Sequence, residues 1–394
     1  MSSNFKKDDP SFGKIDLDDE YVTESWLVDQ FVGNNIWNWG HNTNGQLGQN
    51  NITHRSSPVQ VGALTSWKQV SCGIYYTMAV KNDGTLWAWG AGFTGELGLN
   101  TGVNTHYSSP VQVGSGTTWK LVACGTYSTF AIKYDGTLWA WGDGINGALG
   151  LGSVTNRSSP IQIGSGTDWK LIATGLYNSA AIKNNGTLWT WGQGSNGGLA
   201  LEDVAHRSSP VQVGSLTNWK QAGYGANLLG VINTNNELWV AGMNNNALGQ
   251  GALGLGDITN RSSLVQVGLM TNWKQVSCGR AHITAIKTDG TLWTWGANGF
   301  GQLGLGNITH RSSPVQVGSG TNWKQVWANG IGNTFAIKTD GTLWAWGHNA
   351  SFGMLGLGDL THRSSPVQVG SGTNWKQVTA GYYTSSAVTY TEVD

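Results

Sequence analysis

Histidine and arginine are the side chains of this chain that first suggest chemistry, because they recur together at regular spacing. Five of the eight histidines share one position of a repeat, and six of the seven arginines follow it. The histidines are His54, His106, His206, His310 and His362, with Asn156 and Asn260 in two other copies. A repeat spreads such residues around a ring, whereas a metal ion needs several ligands at one point. We therefore predict no metal site, and we expect the arginines to tie loops to neighbouring carbonyls.

The other candidates for chemistry also fall at repeated positions. Cys72, Cys124 and Cys278 each precede a glycine at equivalent positions, which favours buried thiols over disulfides. Acidic residues within the repeat are mostly turn residues, such as Asp83 and Asp340. The sequence has no Gly-x-Ser-x-Gly elbow, phosphate-binding loop or His-Glu-x-x-His motif. We predict a non-enzymatic protein with no catalytic residues and no cofactor.

Three signatures recur seven times and define the repeat. The glycines that end Trp-x-Trp-Gly are spaced by 50, 52, 50, 50, 54 and 51 residues, and the fifth copy is degraded to Leu-Trp-Val-Ala-Gly. The segment Ser-Ser-Pro-Val-Gln-Val-Gly and the dipeptide Trp-Lys recur at matching intervals. In the former, Ile replaces both valines in the third copy and Leu replaces Pro in the fifth. A period of this length, built from short alternating segments, is typical of propeller blades, because one such sheet cannot bury both of its faces alone.

Each repeat contains four strand-like segments. Residues 85–89 alternate large aromatic with small or aliphatic side chains, as a strand with two different faces should. Residues 77–81 precede them across the tight turn Asn82-Asp83-Gly84. Residues 58–61 and 67–71 supply the other two strands. Composition agrees, since 59 glycines and only 11% charged residues fit many turns between strands better than solvated helices. The sequence therefore predicts an all-β protein, a seven-bladed β-propeller of four-stranded antiparallel blades.

The two ends of the repeat are incomplete in complementary ways. The first copy begins only at about Val32, and the last stops at residues 385–390 without a following Asp-Gly-Thr-Leu-Trp segment. We expect the N-terminal strand to complete the blade that begins at the C-terminus, which closes the ring and removes its free edges. The predicted domains are a non-repeat arm, residues 1–30, and a propeller, residues 31–394.

Charge is unevenly divided between the predicted arm and ring. Residues 1–30 hold three lysines and eight acidic residues, a net charge of −5 in a neutral chain. This arm is interpreted either as a solvated leader or as an attachment to a larger assembly. It has no apolar run long enough for a signal peptide or a transmembrane helix, so we expect no membrane insertion and a virion or cytoplasmic location. An isoelectric point near 7 makes nucleic acid an unfavourable partner.

The ordered motifs Asp-Gly-Thr-Leu-Trp-x-Trp-Gly, Leu-Gly-Leu-Gly and Pro-x-x-Val resemble the regulator of chromosome condensation family of seven-bladed propellers. The resemblance covers about 360 of the 394 residues and implies the same fold. Chromatin-bound members act on the small GTPase Ran partly through a wedge-like insertion, for which the largest excess spacing here, four residues, leaves no room. Plant ultraviolet-B receptors use Gly-Trp-Arg-His-Thr motifs, and the nearest segment here, beginning at Gly279, lacks that tryptophan.

Two short stretches differ in almost every copy while the framework hardly changes. One follows the strand that begins with Trp-Lys, and the other follows Trp-x-Trp-Gly. Both connect consecutive strands, where substitution costs the core little, so simple drift is one explanation. Both are also rich in Tyr, Asn, Ser, His and Gly, the residues of adaptable recognition surfaces.

These stretches supply the predicted ligand-binding residues around the central channel. In the first stretch they are Tyr75, Tyr76, Tyr127, Tyr177, Asn178, Asn227, Arg280, His282, Asn333, Tyr382 and Tyr383. In the second they are His41, Asn42, Phe93, Asp143, Asn196, Asn245, Phe300, His348 and Phe352.

The preferred function is non-enzymatic recognition of a protein or glycan through these loops. Low charge and near-identical copies are similar to family propellers from bacterial and phage genomes, which favours adhesion at a virion or cell surface. One alternative is guanine-nucleotide exchange or other regulation of a small GTPase. Another is a purely structural spacer, whose loops would tolerate replacement.

Overall fold

The protein is a closed ring of seven four-stranded antiparallel sheets, as the sequence predicts. The computed structural model describes residues 34–390 except 64, 103, 247–248, 329–331 and 351. The predicted arm, residues 1–30, lies outside the described residues, so the division at residue 30 stays a prediction. No helix in the described ranges is long or apolar enough to cross a lipid bilayer.

The innermost strand of each blade begins at the Trp of Trp-Lys, and these strands contact one another around the axis. They are β3 (Trp67–Cys72), β7 (Trp119–Cys124), β11 (Trp169–Thr174), β15 (Trp219–Tyr224), β21 (Trp273–Cys278), β25 (Trp323–Ala328) and β29 (Trp375–Ala380). The second strands are β4 (Tyr76–Lys81), β8 (Ser128–Lys133), β12 (Asn178–Lys183), β16 (Leu228–Asn233), β22 (His282–Lys287), β26 (Asn333–Lys338) and β30 (Thr384–Tyr390).

The third strands carry the Trp-x-Trp-Gly signature, and the outer strands carry Ser-Ser-Pro-Val-Gln. The third strands are β1 (Asn34–Gly40), β5 (Leu86–Gly92), β9 (Leu138–Gly142), β13 (Leu188–Gly192), β17 (Leu238–Gly242), β23 (Leu292–Gly296) and β27 (Leu343–Gly347). The outer strands are β2 (Arg55–Gln60), β6 (Thr105–Gln112), β10 (Arg157–Gln162), β14 (Arg207–Gln212), β20 (Arg261–Gln266), β24 (Arg311–Gln316) and β28 (Arg363–Gln368).

The seventh blade joins the two ends of the ring in the order β2-β1-β30-β29. β1 pairs with β30 without a register shift, from Asn34 opposite Tyr390 to Gly40 opposite Thr384. The predicted closure by N-terminal and C-terminal strands is therefore confirmed.

Apolar side chains pack between neighbouring blades rather than in one central core. In one such cluster Tyr76, Met78 and Leu86 of one blade lie against Trp119 and Trp141 of the next. The cysteines are free, as predicted, and burial raises the pKa of the Cys72 thiol to about 11. Each blade therefore depends on its neighbours for burial of its apolar surface.

Three short elements interrupt the regular pattern. Two 3-10 helices, η1 (Ile145–Gly147) and η2 (Ser195–Gly197), follow the third strands of adjacent blades. A small hairpin of β18 (Asn245–Asn246) and β19 (Gly249–Gln250) occupies the longest repeat. This repeat is four residues longer than the shortest ones. The hairpin lies in its connection between the third strand, β17, and the outer strand, β20.

Candidate functional site

Both variable stretches lie on one face of the ring. Within an antiparallel blade, the connection from the innermost to the second strand and the connection from the third to the outer strand emerge at the same end. Ring contacts join the two sets, since Tyr75 of the first stretch packs 5.9 Å from Phe93 of the second, centroid to centroid. We call this surface the variable face, and the opposite surface, which carries the Asp-Gly turns, the lysine face.

Tyrosine dominates the mouth of the central channel on the variable face. The phenol rings of Tyr75 and Tyr383 stack with centroids 5.6 Å apart, and Tyr382 packs 5.8 Å from Tyr383. Tyr127 lies close enough to Tyr75 and Tyr383, and Tyr177 to Tyr382, for ionisation of one phenol to raise the pKa of the other. All five side chains are half-buried. We call this set, Tyr75, Tyr127, Tyr177, Tyr382 and Tyr383, the tyrosine mouth.

The tyrosine mouth is asymmetric around the axis. Its residues come from four consecutive blades, and the other blades place Asn227 and the exposed Arg280 at the corresponding level. Burial raises the pKa of Tyr382, and the neighbouring Arg280 guanidinium offsets part of that rise. Burial likewise raises the pKa of Tyr75, Tyr127 and Tyr177. The phenols therefore stay protonated at neutral pH and can donate hydrogen bonds to a partner.

A ring of glycine backbone forms the floor of this mouth. A glycine directly follows each of six innermost strands, and these glycines line the axial cavity with Cys72, Thr126 and Arg280. They are Gly73, Gly125, Gly175, Gly225, Gly279 and Gly381. A Cβ at Gly225 would lie 1.9 Å from the Gly279 carbonyl oxygen, and one at Gly381 would lie 1.8 Å from that of Gly73. Only glycine permits so close an approach of neighbouring blades.

Two histidine and phenylalanine clusters flank the mouth on the variable face. His41 packs 4.3 Å from Phe352 and 4.9 Å from His54, with Tyr75 and Tyr383 at 5.8 Å. Burial and the neighbouring His54 lower the pKa of His41 to about 4. The imidazole is therefore neutral at pH 7.

The second cluster repeats this arrangement in another blade. Phe300 packs 4.6 Å from His348, which lies 4.8 Å from His362. Burial and His362 lower the pKa of His348 to about 4. The two clusters thus add aromatic surface to the variable face.

A third group of predicted residues is polar and lies between two other blades. The Asn260 side chain contacts both Asn196, at 3.3 Å, and the backbone amide of Asn245, at 3.2 Å. The Asp143 carboxylate accepts a hydrogen bond from the Ile145 amide at 2.9 Å, which holds η1. Asp143 lies close enough to Tyr177 of the tyrosine mouth for its carboxylate to help raise the pKa of that phenol. Ring contacts and hydrogen bonds among the described residues join neither Asn196 nor Asn245 to the mouth.

Five of the predicted ligand-binding residues are buried instead of lying exposed on the variable face. They are Tyr76, Asn42, Asn178, His282 and Asn333, each at most 2% exposed. Four of them are the first residues of second strands. The Tyr76 hydroxyl, for example, donates to the Ser128 carbonyl oxygen at 2.8 Å. The second strands are buried on both faces, so the boundary between loop and strand separates these residues from their exposed neighbours.

Asn42 is buried for a different reason, because its amide holds a loop together. It donates to the carbonyl oxygens of Asn51 and Thr53, each at 3.0 Å, and accepts from the Leu47 amide at 2.9 Å. Both amide hydrogens of the side chain are therefore used within the loop and are not available to a ligand.

Four of the five repeated histidines, which the sequence left without a role, act as loop acceptors: His54, His206, His310 and His362. The Nδ1 atom of His54 accepts a hydrogen bond from the Asn42 amide at 2.9 Å. Asn156 accepts the equivalent bond from Gly144 through its side-chain oxygen at 3.0 Å. This shared function explains why Asn replaces His in two repeats. His and Asn both offer a hydrogen-bond acceptor. Their alternation at one repeat position was therefore the sign in the sequence that this position accepts a hydrogen bond.

The fold and the site together define a propeller that presents one variable, aromatic-rich face. The regulator of chromosome condensation (RCC1) repeat profile matches residues 34–80, 83–132, 135–182, 185–232, 289–337 and 340–388. The chain therefore belongs to the regulator of chromosome condensation repeat family. The unmatched interval contains the degraded fifth signature.

Curated relatives match over part of their length. The Ultraviolet-B receptor UVR8 of Arabidopsis thaliana is 34% identical over 122 residues, covering 30% of this chain and 28% of the receptor. The mitochondrial RCC1 domain-containing protein RUG3 of the same plant is 30% identical over 118 residues, covering 29% and 26%. This chain thus spans less than a third of either relative.

The solved structure of Prp20p from Saccharomyces cerevisiae is similar across the whole ring. It superposes with a TM-score of 0.81 at 17% identity, covering 93% of each chain. At this identity the likeness establishes the fold.

Proposed function

We propose that this protein is a non-enzymatic recognition module that binds a partner protein through the tyrosine mouth. The observation that carries the proposal is the concentration of five half-buried tyrosines around one end of the channel, on loops that differ between blades. Tyrosine offers large contact area, a hydrogen-bonding hydroxyl and little conformational entropy to lose, so it is enriched at protein interfaces.

Family relatives support a protein as the partner. The Prp20p structure is described with that protein's binding properties to Gsp1p and histones, and another yeast RCC1 structure was solved bound to Kap60. Adhesion at a virion or cell surface is a narrower form of the proposal, supported by the low charge of the chain alone. Regulation of a small GTPase is the alternative form, supported by the Gsp1p-binding relative.

Affinity capture with a mouth variant tests the proposal. The variant replaces Tyr75, Tyr127, Tyr177, Tyr382 and Tyr383 with Ala, and a matched control replaces Lys120, Lys170, Lys274 and Lys324 on the lysine face with Gln. We expect proteins captured by the natural chain to be lost from the mouth variant and retained by the control. The strongest such protein is then purified and its dissociation constant measured by calorimetry against all three chains.

Three results decide between the forms of this proposal. A purified partner whose affinity falls at least about 100-fold for the mouth variant supports it, because truncating a hot-spot residue costs about 2 kcal/mol or more and tyrosine is enriched among hot spots. If that partner is a small GTPase, accelerated nucleotide release identifies the regulatory form. Equal affinity for natural chain and mouth variant, or binding only to a glycan array, contradicts protein recognition at the mouth.

A further inference from the structure

The two faces of the propeller differ in the kind of cation they carry. All twelve lysines among the described residues lie on the lysine face, and all seven arginines lie on the variable face. Seven of the lysines are the second residues of innermost strands: Lys68, Lys120, Lys170, Lys220, Lys274, Lys324 and Lys376. The other five end second strands: Lys81, Lys133, Lys183, Lys287 and Lys338.

Acidic residues neutralise the variable face almost fully and the lysine face only by half. On the variable face the acidic side chains are Glu96, Asp143, Glu202, Asp203, Asp257 and Asp359. On the lysine face they are Asp83, Asp135, Asp168, Glu237, Asp289 and Asp340. The described lysine face therefore has a net charge of +6 and the variable face +1.

The lysines of the two sets have different environments. Those that end second strands lie over paired indoles, as Lys133 does at 3.9 Å from the Trp139 ring centroid. On the innermost strands, Lys68 donates to the Tyr134 hydroxyl at 2.9 Å. The side chains of Lys120, Lys170, Lys274 and Lys324 have no hydrogen bond or ion pair within the described ranges. These four ammonium groups are open to an anionic partner.

The acidic segment of this chain joins the propeller at the same face. Residues 1–30 carry a net charge of −5, and the described chain starts at Asn34, at the lysine-face end of β1. Asn34 is paired with Tyr390, whose ring lies 5.2 Å from the Lys376 ammonium. The charges of opposite sign therefore belong to adjoining parts of one chain.

We propose that the acidic segment, residues 1–30, binds the lysine face of its own propeller. Thirty residues can extend to about 100 Å, which suffices to reach every blade from Asn34. Tethering gives the segment an effective concentration in the millimolar range at this face, so a free anion must compete with it. The interaction is electrostatic and partly exposed, and salt therefore weakens it.

Paramagnetic relaxation in the full-length chain tests this proposal. A nitroxide is attached to Ser11→Cys, where it reacts selectively because burial raises the pKa of the three native thiols. We expect amide signals near Lys120, Lys170, Lys274 and Lys324 to lose at least about half of their intensity at 20 mM NaCl. They should recover at 500 mM NaCl, where the Debye length is about 4 Å. Mixing spin-labelled unenriched chain with enriched unlabelled chain separates contacts within one molecule from those between molecules.

Two matched variants make the result decisive. Replacing Lys120, Lys170, Lys274 and Lys324 with Gln should restore the signals, whereas replacing Arg55, Arg157 and Arg311 with Gln on the variable face should leave the broadening unchanged. Broadening on the variable face, broadening insensitive to the lysine variant, or broadening only between molecules overturns the proposal.

Discussion

Tyr75 and Tyr76 are neighbours in sequence with opposite roles. Tyr75 is half-buried in the tyrosine mouth, whereas Tyr76 is fully buried between two blades. The Tyr76 hydroxyl donates to the Ser128 carbonyl oxygen and accepts from the Thr129 hydroxyl at 3.1 Å. Replacing Tyr76 therefore removes both packing and a buried hydrogen-bond network.

We predict that Tyr76→Ala lowers the free energy of unfolding by about 3–5 kcal/mol, the range for deletion of a buried aromatic ring. Tyr75→Ala should cost no more than about 1.5 kcal/mol, because it removes exposed ring contacts. Urea denaturation of both variants measures the difference. Equal losses would show that the two rings share one environment.

His282 is a buried residue that makes stability depend on pH. It is 1% exposed, its Nε2 lies 3.0 Å from the Thr334 hydroxyl, and burial lowers its pKa to about 4. The unfolded chain binds a proton at this residue below about pH 6.5, while the folded chain does so only near pH 4. The stabilisation is therefore complete above pH 6.5 and is lost as the pH falls towards 4.

We predict that His282→Gln is less sensitive to acid than the natural chain. The natural chain should lose up to roughly 3 kcal/mol of stability through this residue between pH 7 and pH 4. Chemical denaturation at several pH values gives the free energy of unfolding of both chains as a function of pH. The difference between the two curves isolates His282, because the other groups titrate in both chains. Parallel profiles would contradict a neutral buried His282.

The sequence identified which positions vary but not which way their side chains point. Tyr127 and Tyr177 could be predicted at the mouth because they fall in loops, where variation is tolerated. Asn178 and His282 could not be excluded, since the boundary between loop and strand decides their orientation. A shift of one residue in that boundary exchanges an exposed side chain for a buried one.

At the scale of elements, glutamine side chains connect neighbouring innermost strands. The Gln275 amide donates to the Val326 carbonyl oxygen at 3.0 Å and accepts from the Val326 amide at 2.9 Å. Gln69 makes the same pair of bonds to Val122 in another blade. Leu121 and Leu171 occupy this position in two blades, so the bridge is not needed at every interface.

We predict that Gln275→Leu lowers stability by about 1–3 kcal/mol, because both polar backbone groups of Val326 lose a buried partner. Gln316→Leu on an outer strand is the matched control, and we expect it to change stability by less than about 0.5 kcal/mol. Thermal and urea unfolding measure both. A Gln275→Leu chain as stable as the control would show that water replaces the bridge.

The sequence predicted the four strands of each blade but not the short hairpin of β18 and β19. The four strands and their turns follow from alternation and from Asp-Gly steps such as Asp83-Gly84, and the structure confirms them. The hairpin of β18 and β19 did not follow, because its residues lack the alternating β-branched and aromatic pattern of a strand. The placement of both variable stretches on one face also follows from the sequence. Successive strands of an antiparallel blade reverse direction, so the first and third connections emerge at the same end.

For the whole molecule, closure of the ring depends on β1. This strand pairs with β30 on one side and β2 on the other, and it buries Ile36 and Trp39 completely. Without β1 the seventh blade loses its third strand, and two strand edges are exposed to solvent. The described pairing of β1 begins at Asn34.

We predict that a chain lacking residues 1–30 folds with a melting temperature within about 3 °C of the full chain, since loss of exposed charge contacts costs at most about 1 kcal/mol. A chain lacking residues 1–40 should lose the cooperative transition and aggregate, because the exposed edges pair with other chains. Calorimetry and size-exclusion chromatography distinguish the two.

The chain without residues 1–40 could instead stay monomeric and melt at the same temperature as the chain without residues 1–30. The ring would then close without a complete seventh blade, and the pairing of β1 with β30 would be dispensable. If the chain without residues 1–30 also fails to fold, the acidic segment belongs to the folded unit and the domain boundary at residue 30 is misplaced.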